Sequence, residues 1–187
     1  ADGFASLEVN PHLAHDTHGT ISEARRLFAL MERPNIMIKV PGTPEGIPAI
    51  RQLISEGINV NVTLIFSLKA YADVREAYIS GKKGFSRSGG DPSTVSSVAS
   101  FFVSRVDTAV DAAISEAVNA GNKTLGSLLG KTAISNARVA YQEFGRSFGE
   151  DRFVALMEEG ALVQRPLWAS TSTKNPALSD VLYVEAL

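Results

Sequence analysis

The sequence predicts an α/β fold of the (β/α) barrel kind, a parallel sheet with its helices outside. Three observations predict it. Apolar β-branched runs alternate with helical periodicities along the chain, the connections between them are mostly short, and one face of strand after strand is polar. In a doubly wound sheet both strand faces pack on helices, so central strands are apolar on both sides. Here Ser6 and Glu8, Lys39, Asn59, Asn61 and Thr63, and then Ser100 keep returning to one side. Polar groups sharing an interior fit a closed barrel, whose functional mouth lies at the strand C-termini. No GxGxxG or P-loop pattern argues for a nucleotide crevice.

The first strand is expected over residues 5–9 and stops at Asn10-Pro11, because proline cannot donate to a ladder and restricts its predecessor. Thr20 and Glu23 have capping-box spacing, opening a helix with Ile21, Ala24, Leu27, Phe28 and Met31 on one stripe. Pro34-Asn35 ends it, and residues 36–40 form the second strand. Thr43-Pro44 then supplies a cap and a first-turn proline for a helix that turns Ile47, Ile50, Leu53 and Ile54 inward, closed by Gly57. Residues 58–66 alternate strictly, with Asn59, Asn61 and Thr63 opposite Val60, Val62 and Leu64. Ser67 caps a helix through Leu68, Tyr71, Val74 and Tyr78 that ends at Gly81, and residues 82–97 lack any period and read as an exposed loop insertion. A fourth strand is expected over 98–103, and a helix over 107–119 with Val110, Ala113, Ile114 and Ala117 buried. Helical stretches over 125–147 and 151–159, a fifth strand over 161–168 and a polar loop over 169–180 complete the reading, all in one domain, 1–187.

The totals narrow the class. A hydrophobic content of 44% with 20% charged residues belongs to an ordinary globular chain with a core, and no apolar run approaches the roughly 20 residues of a spanning helix. No membrane role is expected. Net charge −2 gives no general pull toward nucleic acid, so none is expected as a partner. The absence of cysteine excludes disulfides and thiolate metal sites and fits a reducing, cytoplasmic setting. His12, His15 and His18 share one polar loop without helical ligand spacing, so no metal site is expected there.

One residue stands out. Lys39 lies inside the apolar run Ile36-Met37-Ile38-Lys39-Val40, and a lysine facing a low-dielectric interior loses part of its preference for the charged form. A neutral amine at ordinary pH is what a Schiff-base nucleophile requires. The alternatives are a snorkelling lysine or a structural ion pair, with Glu8 as its partner. Asn61 and Thr63 could equally be a hydrogen-bonded interior layer, and Arg105 could bridge locally to Asp107 or Asp111.

Four segments carry a family resemblance: Ser6-Leu7-Glu8-Val9-Asn10-Pro11, Ile38-Lys39-Val40-Pro41-Gly42-Thr43-Pro44-Glu45-Gly46, Gly57-Ile58-Asn59-Val60-Asn61-Val62-Thr63-Leu64-Ile65-Phe66-Ser67, and Ser100-Phe101-Phe102-Val103-Ser104-Arg105-Val106-Asp107. In these the chain resembles transaldolase, the Schiff-base aldol-transfer enzyme of the pentose phosphate pathway, and residues 164–176 look like its longer bacterial branch. The resemblance implies an eight-stranded (β/α) barrel acting on sugar phosphates with no metal or organic cofactor. It makes Lys39 the Schiff-base lysine, Glu8 and Thr63 the holders of the catalytic water, and Asn61 and Ser100 contacts to substrate hydroxyls. Arg105 would bind phosphate. The family's Ser-x-Arg second phosphate contact falls on Ser172-Thr173-Lys174, with lysine in place of arginine, which keeps the charge and loses the bidentate fork.

The same resemblance covers about the third to the seventh βα unit, five where the barrel has eight, and nothing here matches the general acid/base aspartate of the family's first strand. A truncated barrel is therefore expected, inactive alone and self-associating through its sheet edges. Two further readings remain open: an aldolase that releases dihydroxyacetone instead of passing it on, and a non-catalytic barrel fragment that acts only by assembly.

Overall fold

A computed structural model describes residues 3–187. Five strands, β1 (Ala5–Glu8), β2 (Ile36–Pro41), β3 (Val60–Ile65), β4 (Ser97–Phe102) and β5 (Arg165–Ala169), form one parallel sheet in sequence order. The helices are α1 (Thr17–Met31), α2 (Gly46–Ser55), α3 (Leu68–Arg87), α4 (Ser104–Asn119), α5 (Thr132–Phe148), α6 (Asp151–Glu158) and α7 (Leu182–Ala186). Right-handed crossovers between strands laid down in order put the helices on one face, as in the wall of a barrel.

Strand alternation then divides the residues. Ile36, Ile38 and Val40 of β2, Val60, Val62 and Ile65 of β3, and Ala99 and Phe101 of β4 meet Ile50, Leu53, Tyr71, Val74 and Tyr78 in the main core. The alternate positions face the other way: Ser6, Met37, Asn61, Val98, Arg165 and Leu167 line one cavity of about 260 Å³ on that inward face. Asn59, at the foot of β3, locks three strands. Its amide nitrogen donates to Pro34 O (2.9 Å) and Ile36 O (3.0 Å), and its oxygen accepts from Ser96 N at 2.8 Å.

Several expected boundaries move, each for a physical reason. The helix expected to stop at Gly81 runs on to Arg87, so the loop insertion over 82–97 shrinks to a short connection containing a 3-10 turn at Pro92–Thr94. A Cβ at Gly81 would lie 2.8 Å from both Arg51 O and Ile54 Cβ, so this glycine permits the close approach of α3 to α2 and terminates nothing. Lys82 is fully buried, its ammonium donating to Pro92 O (2.5 Å) and to Val95 O, and burial lowers its pKa to about 8. The Thr20 and Glu23 capping box does not form. Asp16 caps α1 through Gly19 N at 2.9 Å, Thr20 donates to Leu13 O, and Glu23 pairs with Arg26. Thr43 does hold the start of α2, accepting from Gly46 N at 3.0 Å.

Leu64 is exposed instead of buried. Its φ of 60° and the register shift between Val62 and Ile65 break the alternation, so Ile65 takes the core position. Ala113 of α4 is exposed as well, because α4 packs on the 3-10 segment Lys123–Leu128 and on α5. That 3-10 segment and the turn before α5 break up the helical stretch expected over 125–147, and β5 begins only at Arg165. The short helix α7 lies beyond the expected loop, where Tyr183 joins Val103 and Ala133 in a second, smaller core.

Candidate active site

The inward face gathers the polar side chains of β1 to β4. Parallel pairing sets Glu8 of β1 opposite Lys39 of β2, and Lys39 opposite Asn61 of β3. Lys39 Nζ and Glu8 Oε2 are 3.5 Å apart, with side chains 30% and 50% exposed. The deep burial expected of Lys39 is thus met only in part: Ile38 and Val40 go to the core, and Lys39, between them, goes to the open face. An ion pair this exposed is worth about 0–1 kcal/mol, too little to explain a lysine in an apolar strand as a stabilising device.

Beside the pair runs a hydrogen-bonded chain across the sheet. Asn61 Nδ2 donates to Ser6 Oγ at 3.0 Å, and Ser100 Oγ donates to Asn61 Oδ1 at 2.7 Å, which fixes which end of the amide faces which strand. Thr63 is buried one step further toward the strand C-terminus, opposite Pro41. Glu8, Lys39, Asn61, Thr63 and Ser100 therefore share one surface: an amine, a carboxylate, an amide and two hydroxyls, a set suited to a polyhydroxylated carbonyl compound.

Arg105 stands in the first turn of α4, directly after β4. Its guanidinium carbon lies 4.8 Å from the Phe102 ring centroid, and Phe102 packs on Phe66 at 5.0 Å. The local salt bridge does not form. Asp107 accepts from Ala133 N and Tyr183 O–H, and both oxygens of Asp111 receive Gly130 N. Arg105 makes no ion pair among the described residues, so its donors are available to an anion. Ser172 and Lys174 are not brought to Lys39. They bond each other (Nζ to Oγ, 2.7 Å) on the exposed loop after β5, and Lys174 lines a cavity of about 300 Å³ with Thr108, Asp111 and Tyr183.

Sequence reasoning put Ser6 on this face without a partner and offered Asp107 only as a bridge to Arg105; it assigned nothing to Phe102 or Tyr183. The Tyr183 contact spans 76 residues and has no local signature. Among the described residues no cluster of three or more His, Cys, Asp or Glu side chains could hold a metal ion, and no helix is long and apolar enough to cross a membrane. His15 faces Glu45 at 3.2 Å.

A sequence profile described as Transaldolase/Fructose-6-phosphate aldolase matches residues 1–187. The chain belongs to that family. Its similarity to individual transaldolases runs along the whole chain: 51% identity over 186 residues to the transaldolase of Saccharopolyspora erythraea, 50% over 191 to that of Trichodesmium erythraeum, and 52% over 186 to that of Thermobifida fusca. Each alignment covers 100% of this chain and 50% of the relative, so the chain spans about half the length of the curated relatives it matches. The five parallel strands are accordingly part of the transaldolase family's (β/α) barrel.

Proposed function

We propose that the protein carrying this chain is a transaldolase, transferring a dihydroxyacetone unit between sugar phosphates of the pentose phosphate pathway, and that Lys39 is its nucleophile. The observation that carries this is the Lys39 and Glu8 pair set against the Asn61 and Ser100 hydrogen bond on one open sheet face. The Lys39 amine attacks C2 of sedoheptulose 7-phosphate or fructose 6-phosphate; the N–C2 bond forms, and the carbonyl oxygen takes up protons and leaves as water. The resulting iminium draws the electron pair of the C3–C4 bond as the C4 hydroxyl gives up its proton, so an aldose phosphate departs and an enamine stays on Lys39. The enamine adds to the aldehyde of glyceraldehyde 3-phosphate or erythrose 4-phosphate, whose oxygen is protonated, and water returns the free amine.

In this reading Glu8 and Thr63 hold the water, Asn61 and Ser100 take the substrate hydroxyls, Arg105 takes the phosphate, and Ser172 and Lys174 are a second anion contact. The proton relay to the C4 oxygen comes from outside these residues. The isolated chain is therefore expected to label weakly, to turn nothing over and to self-associate along the free edges of β1 and β5, as a size-exclusion mass above that of one chain would report. The lack of cysteine suits a cytoplasmic enzyme. Transfer is preferred to simple aldol cleavage because the relatives that match along the whole chain are named transaldolases.

Borohydride trapping tests the proposal. The full-length parent, incubated with fructose 6-phosphate and reduced, should acquire a dihydroxyacetone-sized adduct on Lys39, located by peptide mass. Lys39→Ala should abolish labelling and turnover while keeping the fold. Label on Lys69, Lys82, Lys123 or Lys174, or turnover by Lys39→Ala, would leave Lys39 as an ion-pair partner only.

A further inference from the structure

The loop after β5 is tied at both ends to one turn of α4. At its start, Val103 N donates to Ala169 O at 2.9 Å and Ser104 N to Ser170 O at 3.0 Å, and the hydroxyls of Ser104 and Ser170 are 2.9 Å apart. Ser170 has a φ of 57°, a left-handed turn that an L-residue adopts only where its surroundings require it. At the other end, Tyr183 O–H donates to Asp107 Oδ2 at 2.7 Å, while Asp107 Oδ1 accepts from Ala133 N at 2.7 Å. Asp107 and Tyr183 are each 2% exposed. A carboxylate this deeply buried persists only with donors on its oxygens, and here each oxygen has one. Burial and the neighbouring Asp107 both push the Tyr183 phenol up, so it keeps the proton it donates.

What these two anchors enclose matters. Between Ser170 and Tyr183 lie Ser172 and Lys174; between Ser104 and Asp107 lies Arg105. The only cationic groups proposed for the phosphate thus sit on two segments that share both fastenings. Resting on the reading of Arg105 and Lys174 as phosphate contacts, we infer that Asp107 and Tyr183 are positioning residues. Their buried hydrogen bond holds the loop against α4, so that Lys174 and Arg105 act on one anion. Neither residue touches the Lys39 region, so the bond sets where the phosphate docks and leaves the amine chemistry alone.

The test uses the full-length parent and Tyr183→Phe, which deletes the donor and keeps the ring in its apolar seat. Inorganic phosphate binding is measured by calorimetry, alongside kcat and KM for fructose 6-phosphate. Losing one such hydrogen bond should weaken phosphate binding and raise KM by about three- to tenfold, with kcat within about twofold. Asp107→Asn should move the same two quantities in the same direction; should it fail to fold, Tyr183→Phe decides alone. Unchanged phosphate affinity in folded Tyr183→Phe overturns the inference, as does a fall in kcat with phosphate binding intact. A parent that binds no inorganic phosphate overturns it too. A parent that binds phosphate normally but traps no adduct on Lys39 overturns the Schiff-base reading and leaves the tether standing.

Discussion

Gly46→Ala should separate the seating of α2 from ordinary helix propensity. Gly46 is the first residue of α2, and a Cβ there would lie 2.0 Å from Pro41 O and 3.0 Å from Thr43 Oγ1. Restoring a normal contact requires a shift of more than about 1 Å, and the obstacle is a backbone carbonyl at the end of β2 with no rotamer to escape into. Overpacking of this kind costs about 1–3 kcal/mol, against at most about 1 kcal/mol gained from alanine in a helix. Gly145 in α5 is the internal control, since nothing lies within 4 Å of its Cβ position. Gly145→Ala should stabilise by up to about 1 kcal/mol; that gain is common to both sites, so the two variants should differ by the overpacking cost, about 1–3 kcal/mol, in urea unfolding of the full-length parent. Pro41 stands two residues beyond Lys39, and a displacement of 1 Å at a reacting group can cost about 100-fold, so adduct trapping should slow in Gly46→Ala and not in Gly145→Ala. Equal midpoints for the two variants would refute the close seating of α2 on β2.

Ser6→Ala removes the acceptor that orients the Asn61 amide, and should raise KM for the ketose phosphate about three- to tenfold while Lys39 still labels; Ser6→Thr, which keeps a hydroxyl, should restore it. An unchanged KM would make the Ser6 contact incidental. For Lys82, the unfolded chain holds its proton up to pH 10.5 while the folded chain releases it near pH 8, so between those values the unfolded state binds more protons and stability rises with pH. Below about pH 8 both states are protonated and this contribution is flat. Tyr71, raised to about 12 by burial, acts with the opposite sign above about pH 10, so the clean window is pH 8 to 9.5. Chemical denaturation of the parent should show the rise there and Lys82→Met should lose it; parallel curves would mean that the amine is not desolvated.

How much of this was legible follows from where each signal resides. The face shared by Lys39, Asn61 and Ser100 could be read because strand alternation is local and strict, and the parallel sheet added only the register that aligns Glu8, Lys39 and Asn61. Reading failed where a residue's local meaning was overridden by a distant contact. Gly81 and Lys82 look like loop residues, yet one is a glycine because Arg51 and Ile54 press against it, and the other is a lysine because two carbonyls at the foot of β4 receive its ammonium. Leu64 breaks its strand's alternation through a left-handed φ that nothing in the leucine itself announces.

The exposure of Lys39 follows the same logic. An apolar run implies burial only if both strand faces are covered, and in a barrel the second face is covered by strands from across the interior. In this chain the core packs on Ile38 and Val40 from one side alone, and Lys39 stands on the side it leaves open. The strand order then settles what meets: β1 to β4 bring the amine, carboxylate, amide and hydroxyls together on that open face.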